Sequence, residues 1–350
     1  MTKFVPPRCP NQRCEQHAQP SGKFYRRRGF YRPACRAEPA QRFWCRACGR
    51  HFSRQTFRFD YRDRRPQDNA PLFYLLASGV GLRQAGRVLA MDVRAVQQKK
   101  QKMAAMFARL HDNLCPQLPP GRTYLLDEEE TYEGASIRPL TMPVVIDLDT
   151  WFVVATAVGT IRRGAQRGTV RRQREEAHEQ KHGRRSDQSD LRVRDVLQTL
   201  AAKAPAGRLV LRTDMKTSYA VIAKAVFGER LEHQVTSSRR PRNSANPLFA
   251  INTTMAMTRD NCGRLRRRSW LVTKKAERLQ EQLLLFTIYR NYVRRRFNRD
   301  AEDDTPARIL GLLPRSLRKH EVLAWRQDWG ERSIHPMSSS GARTVRADVA

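Results

Sequence analysis

Residues 207–228 read GRLVLRTDMKTSYAVIAKAVFG. The apolar run at Leu209–Leu211 is the length of a buried strand and too short for a helix. A polar tip, Thr213-Asp214-Met215-Lys216, interrupts the apolar pattern, and helical spacing begins at Thr217. The stretch therefore reads as strand, acidic tip, helix. Working outward, RTYLLDEEETYEG at 122–134 starts with a short strand that ends at Asp127 and gives way to acids. TMPVVIDLDTWFVVATAVG at 141–159 reads as a hairpin turning near Asp149–Thr150. RVRDVLQTLAAKA is an amphipathic helix, LEHQVTS another short strand, and a long helix is expected from Pro247 to Leu265. The expected fold class is α/β of the α+β mixed kind, one mixed sheet with helices packed on it.

The order strand, hairpin, helix, strand, helix, strand, helix is that of an RNase-H-like core. In it, Asp127 and Asp214 both stand at strand ends. If their strands are parallel neighbours, the two carboxylates lie side by side. Either aspartate alone could simply cap a turn. Together they repel unless a cation joins them. Mg2+ held by such a pair activates a water or a 3′-hydroxyl and stabilises the leaving oxygen of a phosphodiester.

Charge narrows the partner. The 350 residues carry 67 Lys and Arg against 34 Asp and Glu, a formal net charge of +33, and 55 of the 67 are Arg. GC-rich coding would explain Arg in place of Lys, but not the excess. A surface this cationic favours a polyanion, and double-stranded DNA is the expected partner. Hydrophobic residues at 40% are enough to build cores. No run of about 18 apolar residues occurs, so no membrane span is expected. The start, MTKFVPPRCPNQRC, has no apolar stretch of signal-peptide length. A cytoplasmic, nucleoid-associated protein is the expectation.

Five of the seven cysteines fall in the first 48 residues. Cys9 and Cys14 form a C-x4-C pair, and Cys45 and Cys48 form a C-x2-C pair within FWCRACGRHFS. Two such pairs can place four thiolates around a structural Zn2+. Cys35 is the alternative fourth ligand. Between them KFYRRRGFYR alternates aromatic and basic residues, as in a two-stranded ribbon, with Arg26, Arg27 and Arg28 placed to track phosphates. A zinc ribbon is expected over 1–60. Residues 66–114 then read as three helices. Gly79 ends the first, Leu82, Ala85, Val88 and Leu89 form the apolar face of the second, and Asp92 caps the third. That is the layout of a helix-turn-helix DNA-binding domain, with Arg94, Gln97, Gln98, Lys99 and Lys102 facing the duplex.

Taken together, FWCRACGRHFS, the helix-turn-helix, LLDEEETYE, LRTDMKTSY and INTTMAMTRDNCGRLRRRSWLVTKK resemble insertion-sequence transposases of the insertion-sequence-one type. The resemblance spans most of residues 9–295 and implies an RNase-H-like DDE core at 122–295 that cuts and joins DNA with divalent metal. Asp127 and Asp214 would be its two aspartates. The family's glutamate position corresponds to Asn252, a neutral amide. Two readings follow: either asparagine serves as the third catalytic position, or the core is a silent DNA binder derived from a transposase. A homo-oligomer is expected, because two DNA ends must be brought together. A zinc-ribbon transcription factor whose central domain binds partners is a third reading.

The remaining segments have simpler readings. The charge-dense stretch 160–190 reads as a flexible basic insertion, with His178 and His182 on one solvated face. RLRRRSW offers Arg264, Arg266, Arg267 and Arg268 to phosphates, while Trp270 either packs inside or stacks on a base. Residues 296–330 read as a helical cap and 331–350 as a disordered tail.

Overall fold

Two separate sheets organise the chain. The computed structural model describes residues 4–325, except 163, 238, 242 and 266–269. The single-turn helix α1 (Glu15–Ala18) precedes a three-stranded antiparallel sheet of β1 (Tyr25–Tyr31), β2 (Ala40–Cys45) and β3 (His51–Ser53). Its core is little more than Phe24, Phe43, Phe52 and Phe57 around Cys9, Cys14 and Cys45. So few apolar groups make a small core, the kind for which a cross-link adds most stability.

Three helices follow: α2 (Asn69–Ala77), α3 (Leu82–Val88) and α4 (Val93–Leu114). Gly79, at φ +78°, makes the turn after α2. The Asp92 carboxylate accepts the Arg94 N–H at 2.8 Å and starts α4. Val88 departs from expectation: it is 67% exposed, not part of the apolar face. Nor do these helices form a bundle of their own. Phe73, Met103, Phe107 and Leu110 share one apolar cluster with the helices of the central sheet.

That sheet has the spatial order β6 (Val153–Thr156), β5 (Pro139–Asp147), β4 (Thr123–Tyr132), β8 (Leu209–Thr213), β9 (Leu231–Val235), and the short β7 (Gly159–Thr160) pairs with β5. The pairs β4–β5 and β5–β6 are antiparallel, and β4–β8 and β8–β9 are parallel. Helices α6 (Ser189–Lys203) and α7 (Thr217–Phe227) cover one face, where Tyr124 and Leu126 meet Val193, Leu197 and Ile222. Helices α8 (Phe249–Asn261) and α9 (Ala276–Ile288) serve the other, where Leu125 and Val144 join Ile251, Met255 and Leu283. Side chains alternate across a strand, so on β4 even-numbered residues point to α6–α7 and odd-numbered ones to α8.

Two expectations need correction here. The first strand does not stop at Asp127. It runs ten residues, through the acids to Tyr132, because β5 pairs with it along that whole length. Nor is the basic insertion an unstructured loop: residues 170–182 form helix α5 (Val170–His182). The Thr169 hydroxyl caps it at Arg172, Arg172 pairs with Glu176, and the buried Glu175 accepts the Ala165 N–H at 3.0 Å. Past α9 the chain makes a π-helical turn at Tyr289–Val293. It then forms α10 (Pro306–Ile309) and α11 (Lys319–Ala324), whose Val322 and Leu323 join the cluster that holds α2. The end of the expected cap, 326–330, and the expected tail, 331–350, lie outside the described residues.

Candidate catalytic face and metal centre

The parallel register of β4 and β8 decides where the aspartates go. Tyr124 stands opposite Leu211 and Leu125 opposite Arg212. Two residues further the same register brings Asp127 level with Asp214, just where β8 has ended. Both have the parity of the α8 face, on strands about 4.8 Å apart. Each carboxylate is tied locally. Asp214 accepts the Lys216 N–H at 3.0 Å, which turns the chain into α7, and Asp127 accepts the Glu128 N–H at 2.7 Å. The Tyr219 hydroxyl feels both: its pKa is raised by burial first, then by the charges of Glu128, Asp127 and Asp214.

Behind this pair, on the α6–α7 side, Glu128 gathers partners that its neighbours in sequence do not announce. Glu128 accepts hydrogen bonds from Thr141 Oγ1 at 2.6 Å, Ser189 Oγ at 2.8 Å and Tyr219 Oη at 2.9 Å, and pairs with the Lys216 ammonium. Burial alone would raise its pKa, but Lys216 and the hydroxyls hold it below the ordinary value. One carboxylate thus joins β4, β5, the start of α6 and the β8–α7 turn. It fixes the turn that carries Asp214 relative to the strand that carries Asp127. The strand parity of Asp127-Glu128 was the available signal.

Helix α8 runs along β4 on the aspartate face. Its start lies near the hairpin turn, where Phe249 meets Trp151 with ring centroids 6.0 Å apart. Near its end, Arg259 donates to Glu129 Oε1 at 2.8 Å. Asn252 precedes Arg259 by seven residues, so it falls within about 20° of the same helix line and about 10.5 Å back along it. That is the level of Leu125–Asp127. Asp260 is one position round from Arg259 and exposed. Among the described residues, no third acidic, histidine or cysteine side chain joins the two aspartates as a metal-holding group. Asn252, at that level of the helix, carries an amide.

The one group of metal-ligating side chains found among the described residues is Cys9, Cys14, Cys45 and Cys48, with all four sulfurs within 4.8 Å of one another. Cys9 Sγ lies 3.6 Å from Cys48 Sγ, and Cys14 Sγ lies 3.9 Å from Cys45 Sγ. A disulfide would need about 2.05 Å. A tetrahedron with metal–sulfur bonds of about 2.3 Å has edges of about 3.8 Å, so these thiols fit a metal ion. Burial pushes the Cys9 and Cys14 thiols up. Burial also opposes ionisation of Cys48, but the Arg50 N–H and neighbouring side chains bring it down to about 7. Cys35 is not in this group.

The basic residues divide sharply. Arg26, Arg27 and Arg28 are exposed on β1, and Arg28 lies over the Trp44 ring. Arg94 and Gln98 are exposed on α4. Three other expected DNA-facing residues are occupied by the protein itself. Lys99 is buried and donates to Asp63 Oδ2 at 2.9 Å, Asn69 Oδ1 at 2.8 Å and the Arg65 carbonyl at 2.9 Å. Lys102 donates to Asp63 Oδ1 at 2.6 Å, and Gln97 donates to Glu281 of α9 at 3.1 Å. Arg264 is lowered in pKa by burial beside Glu281 and Arg278. Arg266, Arg267 and Arg268 lie outside the described residues. The His178 and His182 rings lie tilted with centroids 4.6 Å apart, in a cleft shared with Glu133, Arg138, Arg184 and Arg185.

No described helix is long and apolar enough to cross a membrane. The sequence matches no protein-family model and no curated protein.

Proposed function

We propose that the protein is a DNA transposase, with an RNase-H-like core that cleaves and transfers DNA strands and an amino-terminal zinc ribbon and helix-turn-helix that bind element ends. The observation that carries this reading is the β4–β8 register, which aligns Asp127 with Asp214 on one face beneath α8. The sheet order and sense of pairing are those expected of an RNase-H-like core. The donor set suits hard cations: Asp127 and Asp214 would hold Mg2+, with the Asn252 carbonyl at the third position. Bound there, Mg2+ supplies charge stabilisation to a phosphodiester and lowers the pKa of a nucleophilic water or hydroxyl. The chain's own part is to fix the carboxylates through the Glu128 cluster and to hold DNA with its +33 charge. The four thiolates are the ligand set of a structural Zn2+.

A second reading, a silent DNA binder derived from a transposase, is favoured by the amide at Asn252. The test uses DNA carrying the gene's own flanks, with Mg2+ or Mn2+. Cleavage or strand transfer by the wild-type chain, lost in Asp214→Ala, is the expected result. Tight binding with no chemistry in the wild type would move the protein to the second reading.

A further inference from the structure

The segment between α8 and α9 carries Trp270, which is 94% exposed, the most exposed large hydrophobic side chain among the described residues. A tryptophan presents about 150–250 Å² of surface, and here it is continuous with the apolar lining of a groove. Its setting is built by close backbone packing. A Cβ on Gly263 would lie 2.5 Å from the Gly79 carbonyl, and one on Gly81 would lie 2.3 Å from Leu271 Cδ2. The turn between α2 and α3 and the segment bearing Trp270 therefore meet closely, and at Gly263 only glycine fits against the facing backbone. Between them lies a groove of about 570 Å³. Leu82, Val93, Trp270 and Leu271 line it, together with Arg83, Arg87 and Lys274. Among the described residues, no acidic one borders it.

An apolar slot whose charged lining is all cationic suits a ligand that is anionic outside and flat and apolar inside. A nucleotide has both properties: phosphates for the rim, and a base whose π-face covers an indole. We propose that Trp270 is a base-stacking wedge lent by the central domain to the DNA face of α3 and α4. It covers a nucleobase exposed at a DNA end or at a kinked step, while Arg83, Arg87 and Lys274 hold the adjoining backbone. This rests on the reading above that the chain binds DNA, but needs no chemistry.

The test uses the full chain and duplexes of the gene's flanking sequence, with 2-aminopurine placed at successive positions. Wild type and Trp270→Phe should change the fluorescence at one or two positions. Trp270→Ala should lose that change and bind roughly tenfold more weakly, at an unchanged salt slope, because no phosphate contact is removed. Arg83→Ala should instead lower the salt slope by about one. An unchanged melting temperature in Trp270→Ala excludes misfolding as the cause. Equal affinity and equal fluorescence in Trp270→Ala overturn the proposal. So does a shift from dimer to monomer in Trp270→Ala with DNA affinity intact, which would assign the indole to an interface between copies. A wild-type chain that binds no DNA overturns both this proposal and the functional reading. Loss of chemistry in Asp214→Ala with the fluorescence signal retained leaves the wedge standing by itself.

Discussion

Lys100 sits fully buried on α4, its ammonium donating to the Arg278 carbonyl at 2.7 Å and lying 3.7 Å from the Glu281 carboxylate. Burial, and then Arg264 beside it, bring its pKa down from 10.5 to about 7. Below pH 7 the lysine is charged in both folded and unfolded chains, and the full cost of burying that charge is present. Between pH 7 and 10.5 the unfolded chain binds a proton that the folded chain does not, so stability rises with pH. Above 10.5 the cost is gone. The shift corresponds to on the order of 5 kcal/mol. Lys100→Met has similar volume, carries no charge and forfeits one hydrogen bond of about 1 kcal/mol. It should therefore be more stable than wild type by several kcal/mol at pH 6, while the two nearly coincide at pH 9.5. Urea unfolding of both chains at the two pH values measures this. Taking the difference cancels groups that titrate alike in both, the cysteine cluster included. A difference that stays constant with pH, or a methionine variant less stable at pH 6, would refute the reasoning.

Four further outcomes follow from the structure. Cys45→Ser should remove one metal ion per chain and unfold the small amino-terminal sheet, while the transition of the central sheet stays in place; metal analysis and circular dichroism melts check both. Lys99→Ala leaves Asp63 and Asn69 without their buried partner and should cost about 2–4 kcal/mol of stability. Arg94→Ala should leave stability alone and weaken DNA binding, as read by melting and by anisotropy titration. Asn252→Glu should increase Mg2+-dependent cleavage if the α8 face holds metal. Unchanged cleavage despite measured Mg2+ binding would show that charge at this position does not limit the reaction.

The sequence made the central sheet's aspartates legible because a strand's apolar run and its acidic tip occupy adjacent positions, as at Leu209–Asp214. It misled at β4, where Asp127-Glu128-Glu129-Glu130 looked like the end of a strand. Acidic side chains seldom sit inside a sheet. Here Glu128 finds Lys216 and Glu129 finds Arg259, partners 88 and 130 residues away, and no local pattern announces such distant neutralisation. The helix α5 escaped for the opposite reason. It buries almost nothing, so apolar periodicity was silent, and only the Thr169 cap and the Arg172–Glu176 pair marked it.

The same logic explains α4. A surface reading helix has one apolar stripe, and every charged residue off that stripe is assigned to solvent. Its 22 residues instead pass between the amino-terminal segments and α9, so charged positions on several sides meet protein. Lys99 meets Asp63, Lys100 meets the start of α9, and Gln97 meets Glu281. What remains outward is the narrow line through Arg94 and Gln98. A helix held this way cannot tilt independently of the sheet that carries Asp127 and Asp214, because α9 lines the same core as α8. The glycine-to-glycine seam at Gly79 and Gly263 ties the neighbouring turn to that frame a second time. Any DNA engaged by α4 would therefore be oriented by the same rigid contacts that set the aspartate face.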